Sequence, residues 1–175
     1  AQTNEFILSI GGIPTLTWLD GTNEGEKRIE ELLNIAMSTG VEAVNIIPDR
    51  NYTPGLGQAD VKKKNLYHIV ELANSLNLPI IVGTEMNSPD QKFVDDFQSD
   101  ELKPLVDTFF RGAMTVYGHT VLQRQCGMGY KSQWANSSFS RRADKNKFFE
   151  ELGQIIQPST ESILKEFNSN SNPLE

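Results

Sequence analysis

One cysteine, Cys126, occurs in the chain, so no disulfide can close within it, and this usage fits a reducing, cytoplasmic compartment. Histidine is nearly as scarce: His68 and His119 are the two present, and they do not form the paired spacing of a metal-ligand motif. No apolar run approaches the roughly 18 residues of a bilayer-crossing helix, and the opening residues lack a basic stretch followed by an apolar one. Neither a membrane span nor a targeting peptide is therefore expected. Basic charge is also short, with 16 Lys and Arg against 23 Asp and Glu and a net charge of -7, which argues against a broad nucleic-acid footprint. The local basic group Arg141, Arg142, Lys145 and Lys147 reads as a solvated helix start. The glycine pairs Gly11 with Gly12, Gly55 with Gly57 and Gly127 with Gly129 lack the strand context and lysine of a phosphate loop, so no nucleotide site is indicated.

What is present suffices for a core. At 175 residues, folding can bury roughly 70% of the extended-chain surface without disulfides. Residues 1–167 read as one α/β domain, and the polar stretch from Asn168 as a disordered tail. The start at Ala1 without an initiator Met, and the end at Leu174-Glu175 in the manner of a cloning junction, suggest the C-terminal portion of a longer protein. A strand-like run at 13–19 is followed by a helix whose apolar face is Ile29, Leu32, Leu33, Ala36 and Met37, with Asn23 and Glu26 spaced as a capping box and Gly40 as its stop. A second strand at 41–47 precedes a Pro/Gly-rich loop and a helix on Leu66, Ile69, Val70, Ala73 and Leu76. The run Pro79 to Val82 is the third strand. Beyond it the apolar period becomes helical: a long helix from about Asp100, a polar connection from Gln123 to Arg142 anchored by Trp134 and Phe139, and two further helices.

Strand, helix, strand, helix, strand implies parallel pairing, and parallel neighbours gather their C-terminal ends on one rim. Polar groups follow each strand: Asp20 after the first, Asp49, Arg50 and Asn51 after the second, Glu85 and Asn87 after the third. Carboxylate and amide oxygens suit Mg²⁺ or Mn²⁺, and a site including His119 would admit Zn²⁺. Glu85 is either such a ligand, a turn cap or the partner of an arginine. Arg50 is either an oxyanion donor or half of a salt bridge to Asp20 or Glu85.

The stretches Asp20-Gly21-Thr22, Ala36 to Asn51 and Leu78 to Glu85 resemble the polymerase-and-histidinol-phosphatase metallohydrolases, whose distorted barrel hydrolyses phosphoesters at the C-terminal strand ends. The resemblance implies that Asp20, Asp49 and Glu85 match acidic positions of that family. Thr15 and Thr17, or residues close to them, stand where its paired histidines would, and Arg50 replaces the histidine after Asp49. The fold expected is thus α/β with parallel βα repeats, a partial or distorted TIM barrel. The function expected is metal-dependent hydrolysis of a small phosphorylated or carbohydrate-like substrate. In it, Asp49 and Glu85 hold a divalent ion, Arg50 steadies the developing anion, Asp20 or His119 handles the proton, and Asn51, Asn87 and Trp18 contact substrate. The alternatives are a non-catalytic module binding a sugar or small anion at the same rim, and a structural domain that forms a homo-oligomer or packs on an upstream domain.

Overall fold

A computed structural model describes residues 2–52, 58–86, 89, 93–168 and 170, the side chains of Asp49 and Tyr52 excepted. In chain order the elements are α1 (Gln2–Ser9), β1 (Thr15–Trp18), α2 (Ile29–Ser38), β2 (Ala43–Ile46), α3 (Asp49–Tyr52), α4 (Ala59–Ser75), β3 (Ile80–Val82), α5 (Val106–Cys126), α6 (Gln133–Ser138) and α7 (Arg142–Ile155). Tight 3₁₀ turns lie at Glu26–Arg28, Lys103–Leu105 and Glu161–Glu166. The chain divides into two compact units, Thr15–Phe110 on the one hand and Ala1–Pro14 with Arg111–Glu175 on the other.

In the Thr15–Phe110 unit the strands pair in parallel in the order β1-β2-β3, with Leu16 opposite Val44 and Val44 opposite Ile80. Ala43, Val44 and Ile46 are fully buried, as expected of a strand without polar alternation. α2 buries Ile29, Leu33 and Ala36, and α4 buries Leu66, Ile69, Val70 and Ala73, each set falling on one helical face. Leu33, Val44, Ile46, Leu66 and Ile69 join one core with Trp18 and Ile80. Complete burial of a Leu or Ile side chain contributes about 1.5–3 kcal/mol.

Both helices hand the chain to the following strand by the same device. Gly40, at φ +97°, donates to Met37 O at 3.0 Å while Val41 N reaches Ala36 O at 3.1 Å. Asn77, at φ +54°, donates to Asn74 O at 3.0 Å while Leu78 N reaches Ala73 O at 2.9 Å. These are Schellman turns: a left-handed residue lets the chain reverse and cap the last carbonyls, and the next residue, Val41 or Leu78, is buried.

The expected barrel-like α/β fold of βα repeats is not what forms. The chain is mostly helical, and the sheet among the described residues has three strands of three or four residues and stays open, β1 and β3 each pairing with β2 alone. The reason lies beyond Val82. From Leu102 onward the buried apolar residues Leu102, Leu105 and Phe109, then Val121 and Leu122, recur at helical spacing, so there is no further strand-like run with which to extend or close a sheet.

The other unit is helical. Val121, Leu122, Tyr130, Trp134, Phe149 and Leu152 form its core, and the Trp134 ring meets Phe139, Phe148 and Phe167 edge-on at centroid distances of 5.6–6.3 Å. Gly118 of α5 and Gly153 of α7 let the two helices touch backbone to backbone. A Cβ at Gly118 would stand 2.0 Å from Phe149 O, and one at Gly153 2.0 Å from Met114 O. Ser132 caps α6, its hydroxyl accepting from Ala135 N at 3.1 Å. Among the described residues no helix is long and apolar enough to cross a membrane.

Candidate functional site

The parallel pairing places the residues that follow β1, β2 and β3 along one edge of the sheet. After β1, Glu26 draws the chain into a tight turn. Its Oε1 accepts from Leu19 N at 2.7 Å, and its Oε2 accepts from Asp20 N at 3.2 Å and Gly21 N at 2.8 Å. In the capping-box spacing read from the sequence the Glu26 carboxylate would return to Asn23. Only half of that box forms, Asn23 Oδ1 accepting from Glu26 N at 2.9 Å, while the carboxylate, buried, satisfies the turn instead.

Asp20 turns back on its own loop. Its Oδ1 accepts from Thr22 N at 3.0 Å and Thr22 Oγ1 at 2.6 Å, and its Oδ2 pairs with Lys62 Nζ at 2.9 Å. Burial pushes the Asp20 pKa up, but the hydrogen bonds from Thr22 and Lys62 and the lysine's charge outweigh it, and the carboxyl lies below its ordinary range. Lys62, on α4, is thus a partner of this site. Asn65, one turn further along α4, donates to Asp20 O at 3.1 Å.

After β2, the short helix α3 carries Asp49, Arg50 and Asn51. Arg50 grips Glu85, which follows β3, with two parallel bonds: Nε to Oε2 at 2.5 Å and a terminal guanidinium nitrogen to Oε1 at 2.9 Å. The hydrogen bond to Glu85 raises the Arg50 pKa, with the charges of Asp20 and Glu26 acting in the same direction against desolvation. Of the readings open for Arg50 and Glu85, the salt bridge is the one that forms. Asn51 is 1% exposed and ties the ends of β1 and β2 together, its Nδ2 donating to Leu19 O at 2.8 Å and to Ile47 O at 3.0 Å. Its Oδ1 is buried and receives no hydrogen bond from the described residues.

Of the residues singled out from the sequence, Asp20, Arg50, Asn51 and Glu85 meet on this edge. Trp18 ends β1 but its ring is in the core at 1% exposure. His119 belongs to the other unit, on α5, where its Nδ1 accepts from Tyr130 N at 2.9 Å and burial lowers its pKa. Asn87 and the Asp49 side chain lie outside what is described. Among the described residues no group of three or more His, Cys, Asp or Glu could hold a metal ion. The expectation of a TIM-barrel, metal-binding hydrolase is corrected on this finding and on the helical fold with its open sheet. The physical reason is that the carboxylates are already engaged: Glu85 by Arg50, Asp20 by Thr22 and Lys62, Glu26 by backbone N–H groups.

Beside the β1 turn lies a cleft of about 490 Å³, lined by Trp18, Gly21, Glu26, Ile29, Asn65 and His68 among others. No family model matches the chain, and neither a curated protein nor a solved structure does.

Proposed function

We propose that the Thr15–Phe110 unit is a non-catalytic module that binds a small hydroxylated, carbohydrate-like molecule at the C-terminal ends of its strands. The observation that carries this reading is the Asn51 side chain. A buried amide oxygen without a donor costs about 1–3 kcal/mol, and such atoms in folded proteins are nearly always satisfied. Because Nδ2 is held by Leu19 O and Ile47 O, Oδ1 is fixed in direction; it has no exposed surface in this structure, so binding must open the strand-end turn enough for a hydroxyl to reach it. Arg50, partly exposed while paired with Glu85, adds planar donors on the same edge of the sheet, and Asp20 with Lys62 supplies further polar character. Recognition by an array of neutral and charged hydrogen-bonding groups requires no metal ion.

The test is calorimetric titration of the full chain with glucose, mannose and glucuronate, with and without EDTA. Saturable binding that EDTA leaves unchanged and that Asn51→Ala weakens about tenfold, the loss of one good hydrogen bond, is expected. Binding abolished by EDTA, or unaffected by Asn51→Ala in a variant that keeps its circular dichroism, would contradict the reading.

A further inference from the structure

The cleft beside the β1 turn does not include Asn51, Arg50 or Glu85 in its lining, and its chemistry differs from that of the strand-end site. We propose that it is a second, separate binding site, and that it takes a small apolar monocarboxylate. At about 490 Å³ it falls within the size range of small-molecule sites. Its exposed apolar surface comes chiefly from Val61, above the buried side chains of Ile29, Ile69 and Trp18.

The polar side of the cleft decides the ligand's charge. Glu26 is the acid in the lining, and both its oxygens are taken up by the N–H groups of Leu19, Asp20 and Gly21. The Thr22 hydroxyl is likewise committed, donating to Asp20. What the cleft offers a ligand is therefore mainly donors: the Lys27 ammonium, the imidazole N–H of His68 and the side-chain amide of Gln58, the Asn65 amide already donating to Asp20 O. Lys27 is paired with Glu24, but that pair is on the surface, with side-chain exposures of 54% and 91%, and such pairs contribute little. The ammonium can exchange Glu24 for a ligand carboxylate at small cost.

The same surroundings limit how much negative charge is tolerated. Lys27 and His68 also line the adjoining hollow, which carries Glu30 and Glu31, and the whole chain is at -7. A polyanion such as a nucleotide would meet this repulsion, whereas a single carboxylate on an apolar body matches a few donors at the mouth and aliphatic side chains beneath.

Titration of the ¹⁵N-labelled full chain with benzoate, and with benzamide as its uncharged twin of nearly the same shape, tests the assignment. Benzoate is expected to shift the resonances of Val61, Asn65 and His68 saturably, and benzamide to bind about tenfold or more weakly, as loss of a charge-assisted contact implies. Lys27→Ala combined with His68→Ala should bring benzoate down to the level of benzamide. Both residues are exposed, so the fold is kept. A saturating concentration of glucose, mannose or glucuronate should leave benzoate binding unchanged, which separates this site from the strand-end one. Failure of benzoate to move those resonances, equal binding of benzamide, or undiminished binding by the double variant would overturn the proposal.

Discussion

With Leu19, Asp20 and Gly21 all donating to its carboxylate, Glu26 closes a turn whose backbone N–H groups would otherwise face a partly buried environment unpaired. Glu26→Ala is expected to cost on the order of 3 kcal/mol, measured by urea unfolding, because hydrogen bonds to a charged acceptor are worth more than neutral ones and three donors are orphaned at once. Asp20 gives a pH signature instead. Folding lowers its pKa, so the unfolded chain takes up the proton more readily; the stability Asp20 contributes is in place above the ordinary carboxylate range and is lost as the pH falls through its folded value. The stability difference between the parent and Asp20→Asn should therefore be largest near neutrality and shrink in acid, as followed by denaturant midpoints across pH. Residue types at the site were legible from the sequence: Asp20, Arg50, Asn51 and Glu85 each follow a strand-like run. Their partners were not. That Glu26 would serve the β1 turn rather than its own helix start, and that Lys62 would reach Asp20, depend on a loop path that neither spacing nor propensity encodes.

At the scale of elements, the close approach of α5 and α7 rests on two glycines. An added methyl at Gly118 would fall 2.0 Å from Phe149 O, and at Gly153 2.0 Å from Met114 O, contacts that backbone cannot relieve without separating the helices. Gly118→Ala and Gly153→Ala should each destabilise by about 1–3 kcal/mol or more, with a lowered thermal midpoint, although alanine is the better helix former. The contrast is with an exposed helix position, where the same change would stabilise. The sequence located α2, α4, α5 and α7 through apolar residues three and four apart, and the three strands through short β-branched and aliphatic runs. Gly40 was readable as a helix stop, and Asn77 performs the same turn without a glycine to announce it. The segment Gln2–Ser9 is helical and buries none of its residues, Phe6 and Leu8 being exposed, so core periodicity could not reveal it.

For the molecule as a whole, the expectation of a barrel came from extrapolating three strands to a closed fold. Three short strands fix their own pairing but say nothing of how many follow, and here helices follow. Each compact unit has its own apolar core and one tryptophan within it, Trp18 in one and Trp134 in the other. Leu66→Ala removes a fully buried side chain beside Trp18's core and should cost about 2–5 kcal/mol. In single-tryptophan variants carrying Trp18→Phe or Trp134→Phe, its effect on the denaturation midpoint is expected to be larger when Trp18 is the reporter than when Trp134 is.

The account's central claim, that Asn51 presents a fixed acceptor to a small hydroxylated ligand, is tested most directly by following its side-chain amide resonances. Nδ2 is anchored to Leu19 O and Ile47 O, so a hydroxyl arriving at Oδ1 must polarise that same amide group. Titration of the ¹⁵N-labelled chain with the monosaccharide that binds in calorimetry should shift the Asn51 side-chain amide pair saturably and identically with and without EDTA. An Asn51 pair that stays in place while the sugar binds, or that moves only when divalent metal is supplied, would contradict it.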